Sequence, residues 1–289
     1  MSTLFPDFTT DWTIGGRPLR LHLLSTGRGV DKTRFREARL HNRLSVIDAI
    51  LDNHFTEWLP IWVAVIEHPE AVFLVDTGLD PAINQPNYFK TSGFFPGRFI
   101  RTQFRFTSDP EEQLRPRLAA RDLIPDTILL THLHFDHIGG LRYFPKTPVL
   151  LNRTEWDHPF GALPNLYPPG FNPVLLDLGT PFGPFPKTRF LTTDQRLVLI
   201  HTPGHTYGHC SVLIRTDKIN ILLAGDVAYN QNQLNNGIFA ANLASYSAAK
   251  QTYSEIKEFS HQHPLLFIPT HDPDAAATLT HGNALHFSQ

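Results

Sequence analysis

At 289 residues, 41% of them hydrophobic, the chain is long enough to bury a sizeable core. Its 25 basic and 27 acidic residues leave a net charge of −2 with no long basic run, so electrostatics support neither a nucleic-acid nor an anionic-membrane partner. The single cysteine, Cys210, excludes an internal disulfide framework and fits a reducing, cytoplasmic compartment.

Met1 to Trp12 lacks the basic and apolar regions of a signal peptide, and no apolar run is long enough to span a bilayer. Leu19–Leu24, Trp62–Glu67 and Ala71–Val75 read as strands, the last two joined by a hairpin turn at His68-Pro69-Glu70. Leu74-Val75-Asp76-Thr77-Gly78 ends a strand in a turn. Six of the chain's 22 Phe (Phe89, Phe94, Phe95, Phe99, Phe104 and Phe106) fall within 18 positions, where chance would place about 1.4. Gly, Ser, Thr and Arg separate the rings, so the segment from about 84 to 107 reads as an aromatic loop insertion. Asp109 as N-cap, Pro110 at N1 and Glu112 at N3 predict a helix, which Pro116 should end or kink early.

Ile128-Leu129-Leu130 reads as a buried strand running into Thr-His-Leu-His-Phe-Asp-His-Ile-Gly-Gly, residues 131–140. Further strands are expected at Val149–Asn152, Leu197–His201, Ser211–Arg215, Asn220–Ala224 and Leu265–Thr270. A helix is expected over Ser245–His261, with Ala248, Tyr253, Ile256 and Phe259 as its apolar stripe. This mixture favours a layered α/β domain over an all-β barrel.

The decapeptide holds the chemistry. Alternate positions of an extended segment point the same way, so His132 and His134 can bind one metal ion. Asp136 and His137 follow as the chain turns and are aimed at a second, while Gly139 and Gly140 allow a tight backbone approach. His205, Asp226 and His271 each follow an apolar strand, and catalytic groups of layered α/β domains gather at strand ends. Nitrogen and carboxylate donors without thiolate suit two divalent ions, Zn²⁺ first, with Fe, Mn or Co open. Two such ions lower the pKa of a shared water and make hydroxide available at neutral pH, so the reaction class is hydrolysis. His201 and His209 read as structural, with a supporting place behind the ligands open to either, Cys210 as a buried small residue, and Asp272 with Asp274 as a turn. His22 and His54 are among the histidines with no partner pattern.

The order H-x-H-x-D-H, then His, Asp and His, resembles the metallo-β-lactamase superfamily over roughly Leu74 to His271. The resemblance implies one domain over residues 1–289 with an αββα sandwich, two mixed β-sheets flanked by helices. It implies that His132, His134 and His205 hold one ion, that Asp136, His137 and His271 hold the other, that Asp226 bridges them, and that Asp76 supports the site from behind. Tyr229, three residues after Asp226, is similar to a tyrosine at that place in the N-acyl-homoserine lactonases of the superfamily. There it donates a hydrogen bond to the lactone carbonyl, with Asp136 moving the proton. The resemblance therefore implies a small-molecule lactone or ester substrate. Phe94, Phe95, Phe99, Phe104 and Phe106 could line an acyl-chain pocket, form a homodimer contact or pack in the core. Two rivals remain, an organophosphate hydrolase and a glyoxalase II-like thioesterase. The latter is disfavoured because only 18 residues follow His271 and none after Lys257 is Lys or Arg. A metal-stabilised binding module would tolerate loss of a ligand, whereas all seven are present.

Overall fold

The protein was analysed as a computed structural model, which describes residues 4–42, 44–89, 100, 102–282 and 284–285. Among these, one sheet contains β1 (Phe8–Ile14), β2 (Arg17–Asp31), β3 (Leu59–His68), β4 (Ala71–Val75), β5 (Phe104–Thr107), β6 (Thr127–Leu129), β7 (Val149–Asn152) and β8 (Val174–Leu176). Their order is β1-β2-β3-β4-β6-β7-β8, with β5 paired to β2. The second contains β9 (Thr180–Phe182), β10 (Phe185–Phe190), β11 (Leu197–His201), β12 (Cys210–Arg215), β13 (Asn220–Gly225) and β14 (Leu265–Pro269), in the order β14-β13-β12-β11-β10-β9.

Side chains alternate across a strand, and β3 shows how that builds layers. Its Trp62, Ala64 and Ile66 join the core between the sheets, where Leu21, Leu23 and Val75 meet Leu199, Val212 and Ile268. Its Val63 and Val65 face the other way, onto Leu114 and Leu118 of the helix Leu114–Ala119. On the far side, the helix Tyr246–Gln262 packs Ala249, Tyr253, Ile256 and Phe259 onto Val198, Leu213 and Phe267. The layers are therefore αββα, two mixed sheets between helices. β4, β6 and β7 run parallel in the first sheet and β13 and β14 in the second. Their carboxyl ends carry the chain into the loops that hold the histidines and aspartates.

Several elements differ from the sequence expectation. The strand expected over Leu19–Leu24 runs on to Asp31, through a register shift between Ser25 and Arg28. β1, not foreseen, pairs with it across a turn at Gly15 and Gly16. Pro110–Glu112 is only a short 3₁₀ turn, and Pro116 lies in the first turn of the following helix. A proline's missing N–H costs little there, so it does not end the helix. The segment read as a loop ends in a strand: Phe104–Thr107 pairs antiparallel with Arg28–Asp31. Phe94, Phe95 and Phe99 lie outside the described residues. In the long helix Ala249 is buried and Ala248 only half-buried, which moves the stripe by one residue. His22 and His54 do have partners, Glu67 at 2.8 Å and Asp52 at 3.0 Å.

At the strand ends opposite the histidine-bearing loops, two turns tie the sheets together. Glu70 accepts hydrogen bonds from the Thr193 N–H and hydroxyl, and His68 Nε2 lies 3.2 Å from Asp194 Oδ2. The turn after β4 depends on Gly78, whose φ of +69° is open to glycine and whose missing Cβ leaves room for the Thr26 side chain. Gly78→Ala should therefore cost about 3 kcal/mol and lower the Tm by several degrees. Thermal denaturation of the two proteins measures this, and an unchanged Tm would refute the close-packing account.

Candidate metal centre

Each functional side chain is placed by the end of a strand. Asp76 follows β4 at φ +60°, a left-handed conformation uncommon for a non-glycine residue. Its carboxylate accepts from the Thr131 N–H and hydroxyl, both at 2.8 Å, and from His137 Nδ1 at 2.8 Å. One buried carboxylate thus joins the ends of β4 and β6 and orients His137. Beyond β6, His134 Nε2 donates to the Phe160 carbonyl at 3.0 Å, which leaves Nδ1 with a free lone pair. That Nδ1 lies 2.9 Å from His205 Nε2. His271, after β14, donates from Nδ1 to the Pro60 carbonyl at 3.0 Å and presents Nε2 to the site.

The seven side chains form two groups. The ligand atoms of His132, His134, His205 and Asp226 lie within 4.8 Å of one another, as do those of Asp136, His137 and His271. Asp226 stands between the groups: Oδ2 is 3.3 Å from His205 Nε2 and 3.4 Å from His271 Nε2, and Oδ1 is 3.3 Å from His137 Nε2.

These residues fit a metal pair. His132 Nε2, His137 Nε2 and Asp226 Oδ1 are buried without a hydrogen-bond partner. The 3.3 Å approach of the last two is a charge contact rather than a formed hydrogen bond. Buried polar atoms without partners are costly, and here they converge from both groups. A pair of divalent cations, four imidazoles and two carboxylates satisfy one another's requirements, with the remaining imidazole, His271, completing the second group.

The electrostatics agree. Burial holds His132 and His205 well below the ordinary imidazole range, and lowers His134 too, so all three are neutral and carry lone pairs. Burial also opposes charge on His137 and His271, but Asp226 and Asp136, joined by Asp76 at His137, outweigh it. His137 is raised well above its usual value and His271 is pushed up to about 9. Burial opposes charge on Asp226 as well, yet His137, His271 and His205 together hold its carboxyl well below the usual range.

A sequence profile of the Metallo-beta-lactamase superfamily matches residues 56–273. The chain belongs to this superfamily. An N-acyl homoserine lactonase of Bacillus sp is 30% identical over 212 residues, which cover 69% of this chain and 76% of that one. The N-acyl homoserine lactonase AiiA of Bacillus thuringiensis subsp. kurstaki is 30% identical over 185 residues, 60% of this chain and 66% of that one. Among solved structures, an N-acyl homoserine lactone hydrolase with the product N-hexanoyl-L-homoserine at its catalytic metal centre superposes with a TM-score of 0.69 at 23% identity. That alignment covers 87% of this chain and 92% of the other, and speaks for a shared fold.

Beside the two groups opens a cavity of about 470 Å³. Phe35, Leu59, Phe104, Phe106 and Phe135 give it an apolar wall, and Tyr229 lines it with its ring centroid 5.6 Å from that of His271. Burial, then the nearby Asp31 and Asp226 carboxylates, raise the Tyr229 phenol well above its usual range, so it stays protonated at neutral pH.

Glu155 and Asp31 escaped sequence reasoning, and His209 takes the supporting role left open for it. His209 was read as structural, and both its nitrogens are engaged: Nδ1 with Thr202, and Nε2 with the Asp226 N–H at 3.0 Å. It therefore holds the Asp226 backbone. Glu155 is fully buried and accepts from the Leu133 N–H, the Thr206 hydroxyl and the Gly208 N–H, tying the His132/His134 loop to the His205 loop. Its only sequence signal, Asn152 three residues before it, reads as a helix cap. Asp31, also lining the cavity, is buried at the end of β2. Burial pushes its carboxyl up to about 6, against the pull of His271 and of the nearby Tyr229 hydroxyl.

Because His137 and His271 carry protons at neutral pH, loading divalent metal should release protons, and apparent affinity should rise with pH toward about 9. Calorimetric titration at pH 7 in buffers of different ionisation enthalpy reads the release; buffer-independent heats would contradict it. Asp76→Asn, which tolerates φ +60°, should weaken binding of the ion nearest His137 about 10- to 100-fold, measured as metal content after dialysis against a competing chelator.

Proposed function

We propose that this protein is a metal-dependent hydrolase that opens the ring of N-acyl homoserine lactones. The observation that carries the reading is Tyr229, protonated and set in the wall of an apolar cavity beside both ligand groups. The 30% identity to lactonases that act on this substrate class supports it.

In this reading His132, His134 and His205 hold one ion, Asp136, His137 and His271 the other, and Asp226 both. Zn²⁺ suits these donors, with Fe, Mn and Co as alternatives. Bound there, two divalent ions supply Lewis acidity and a water of lowered pKa. The chain's own groups do the rest. Tyr229 donates a hydrogen bond to the lactone carbonyl oxygen as that atom becomes negative. Asp136 faces the gap between the groups, with Oδ2 3.6 Å from His271 Nε2. It takes the proton of the attacking water and delivers it to the ring oxygen as the C–O bond breaks. Water and lactone become an N-acyl-homoserine, whose new carboxyl gives up a proton at neutral pH. Phe35, Phe104, Phe106 and Phe135 accommodate the acyl chain. The buried Cys210 thiol suits a cytoplasmic setting.

Purified, metal-loaded protein assayed on N-acyl homoserine lactones, a simple δ-lactone, S-lactoylglutathione and paraoxon should turn over the N-acyl lactones fastest. Faster cleavage of the thioester or the phosphotriester would replace this reading with one of its rivals. Tyr229→Phe should lower kcat on the lactone about 10- to 1000-fold with metal content unchanged. A variant with normal kcat would remove the role given to the phenol.

A further inference from the structure

Asp31 is an anomaly in the cavity wall. The aromatic and aliphatic lining is interrupted by the ligands, by Tyr229, and by just two other polar side chains among the described residues, Asp31 and Asn242. Asp31 is 7% exposed and shares the cavity wall with Tyr229, each near enough to shift the other's proton affinity. β2 delivers it there through the bulge at Ser25–Arg28, with its backbone held by Thr56 and by pairing to Phe104.

A phenol has one proton to donate. When Tyr229 gives it to the lactone carbonyl, it has none left for Asp31, a buried carboxylate in an apolar wall. That is costly unless the substrate supplies a replacement donor. In an N-acyl homoserine lactone the amide N–H sits on the carbon next to the lactone carbonyl. The substrate therefore places an acceptor and a donor side by side, as the protein places Tyr229 and Asp31. We infer that Asp31 is a specificity-determining residue that accepts the substrate's amide N–H while Tyr229 donates to the lactone carbonyl, so that the site selects α-acylamino lactones over lactones without that N–H.

The inference rests on the lactonase reading, and its test separates the two. The probes are N-octanoyl homoserine lactone and its ester isostere, α-octanoyloxy-γ-butyrolactone, in which oxygen replaces the N–H. Wild type should prefer the amide about 100-fold or more in kcat/KM, since a site built for a hydrogen bond strongly rejects an analogue lacking it. Asp31→Ala should collapse that ratio to within about threefold, and Asp31→Asn, which keeps an acceptor oxygen, should retain part of it. The ratio is insensitive to the fraction of active protein, so a partly folded variant still reports. If Asp31→Ala does not fold, Asp31→Asn decides: a full wild-type ratio there, with the same KM for the amide, counts against a carboxylate contact. Equal turnover of both probes by wild type, an unchanged ratio in Asp31→Ala, or a collapse in Asn242→Ala instead would overturn the inference and leave the lactonase reading standing. Wild type that cleaves neither probe overturns that reading itself.

Discussion

Four imidazoles at the seam of the two sheets have one nitrogen engaged by the fold and the other turned inward. His132 meets the Thr131 hydroxyl, His134 the Phe160 carbonyl, His137 the Asp76 carboxylate and His271 the Pro60 carbonyl. Each outer contact helps to set a ring's tautomer and angle, and so decides which lone pair reaches the centre. The partners come from different elements, which is why the site needs both sheets. Glu155 and His209 extend the same device to the backbone, fixing loops where Asp76 fixes a ring. The cost of burying these groups is borne by the αββα frame and is recovered when cations fill the centre.

Much of this was legible in the sequence because chemistry and geometry coincide at strand ends. An apolar run stopping at a His or Asp announces both a buried strand and a residue at its mouth, as at Leu129 before His132 and Ala224 before Asp226. Legibility failed where a local signal had two physical meanings. The strand expected to stop at Leu24 continues through Ser25-Thr26-Gly27. Gly27 stands at φ +151°, and a Cβ there would press on the Thr107 carbonyl and Leu79, so the glycine marks a bulge under close packing. Cutting the strand at Leu24 hid Asp31. Likewise the polar spacing of Phe104 and Phe106 reads as loop, whereas β5 finds its hydrogen bonds on β2, a partner distant in sequence. Pro116 was misread because the position of a proline within a helix, and not its presence, decides its effect.

Superfamily membership accounts for the fold and leaves the substrate to the wall beside the two groups of histidines and aspartates. That wall is mostly hydrocarbon, which selects poorly among greasy esters, because apolar contacts discriminate weakly between substrates of similar size. Discrimination has to come from the few polar groups. Tyr229 and Asp31 set a donor and an acceptor in the same wall, a pattern that a plain lactone or a phosphotriester matches only in part.

The tie between the turns at Glu70 and Thr193 acts at the other end of the strands. β4 and β11, five residues each, span about 17 Å from those turns to the loops of the centre. They behave as paired lever arms. A rotation of one degree between the sheets at the tie would displace the ligands by about 0.3 Å, more than the roughly 0.2 Å tolerance of a metal–ligand distance. A group of modest surface contacts at one end thus acts as the pivot bearing for the aperture at the other, and sets how finely the two halves of the centre are aligned.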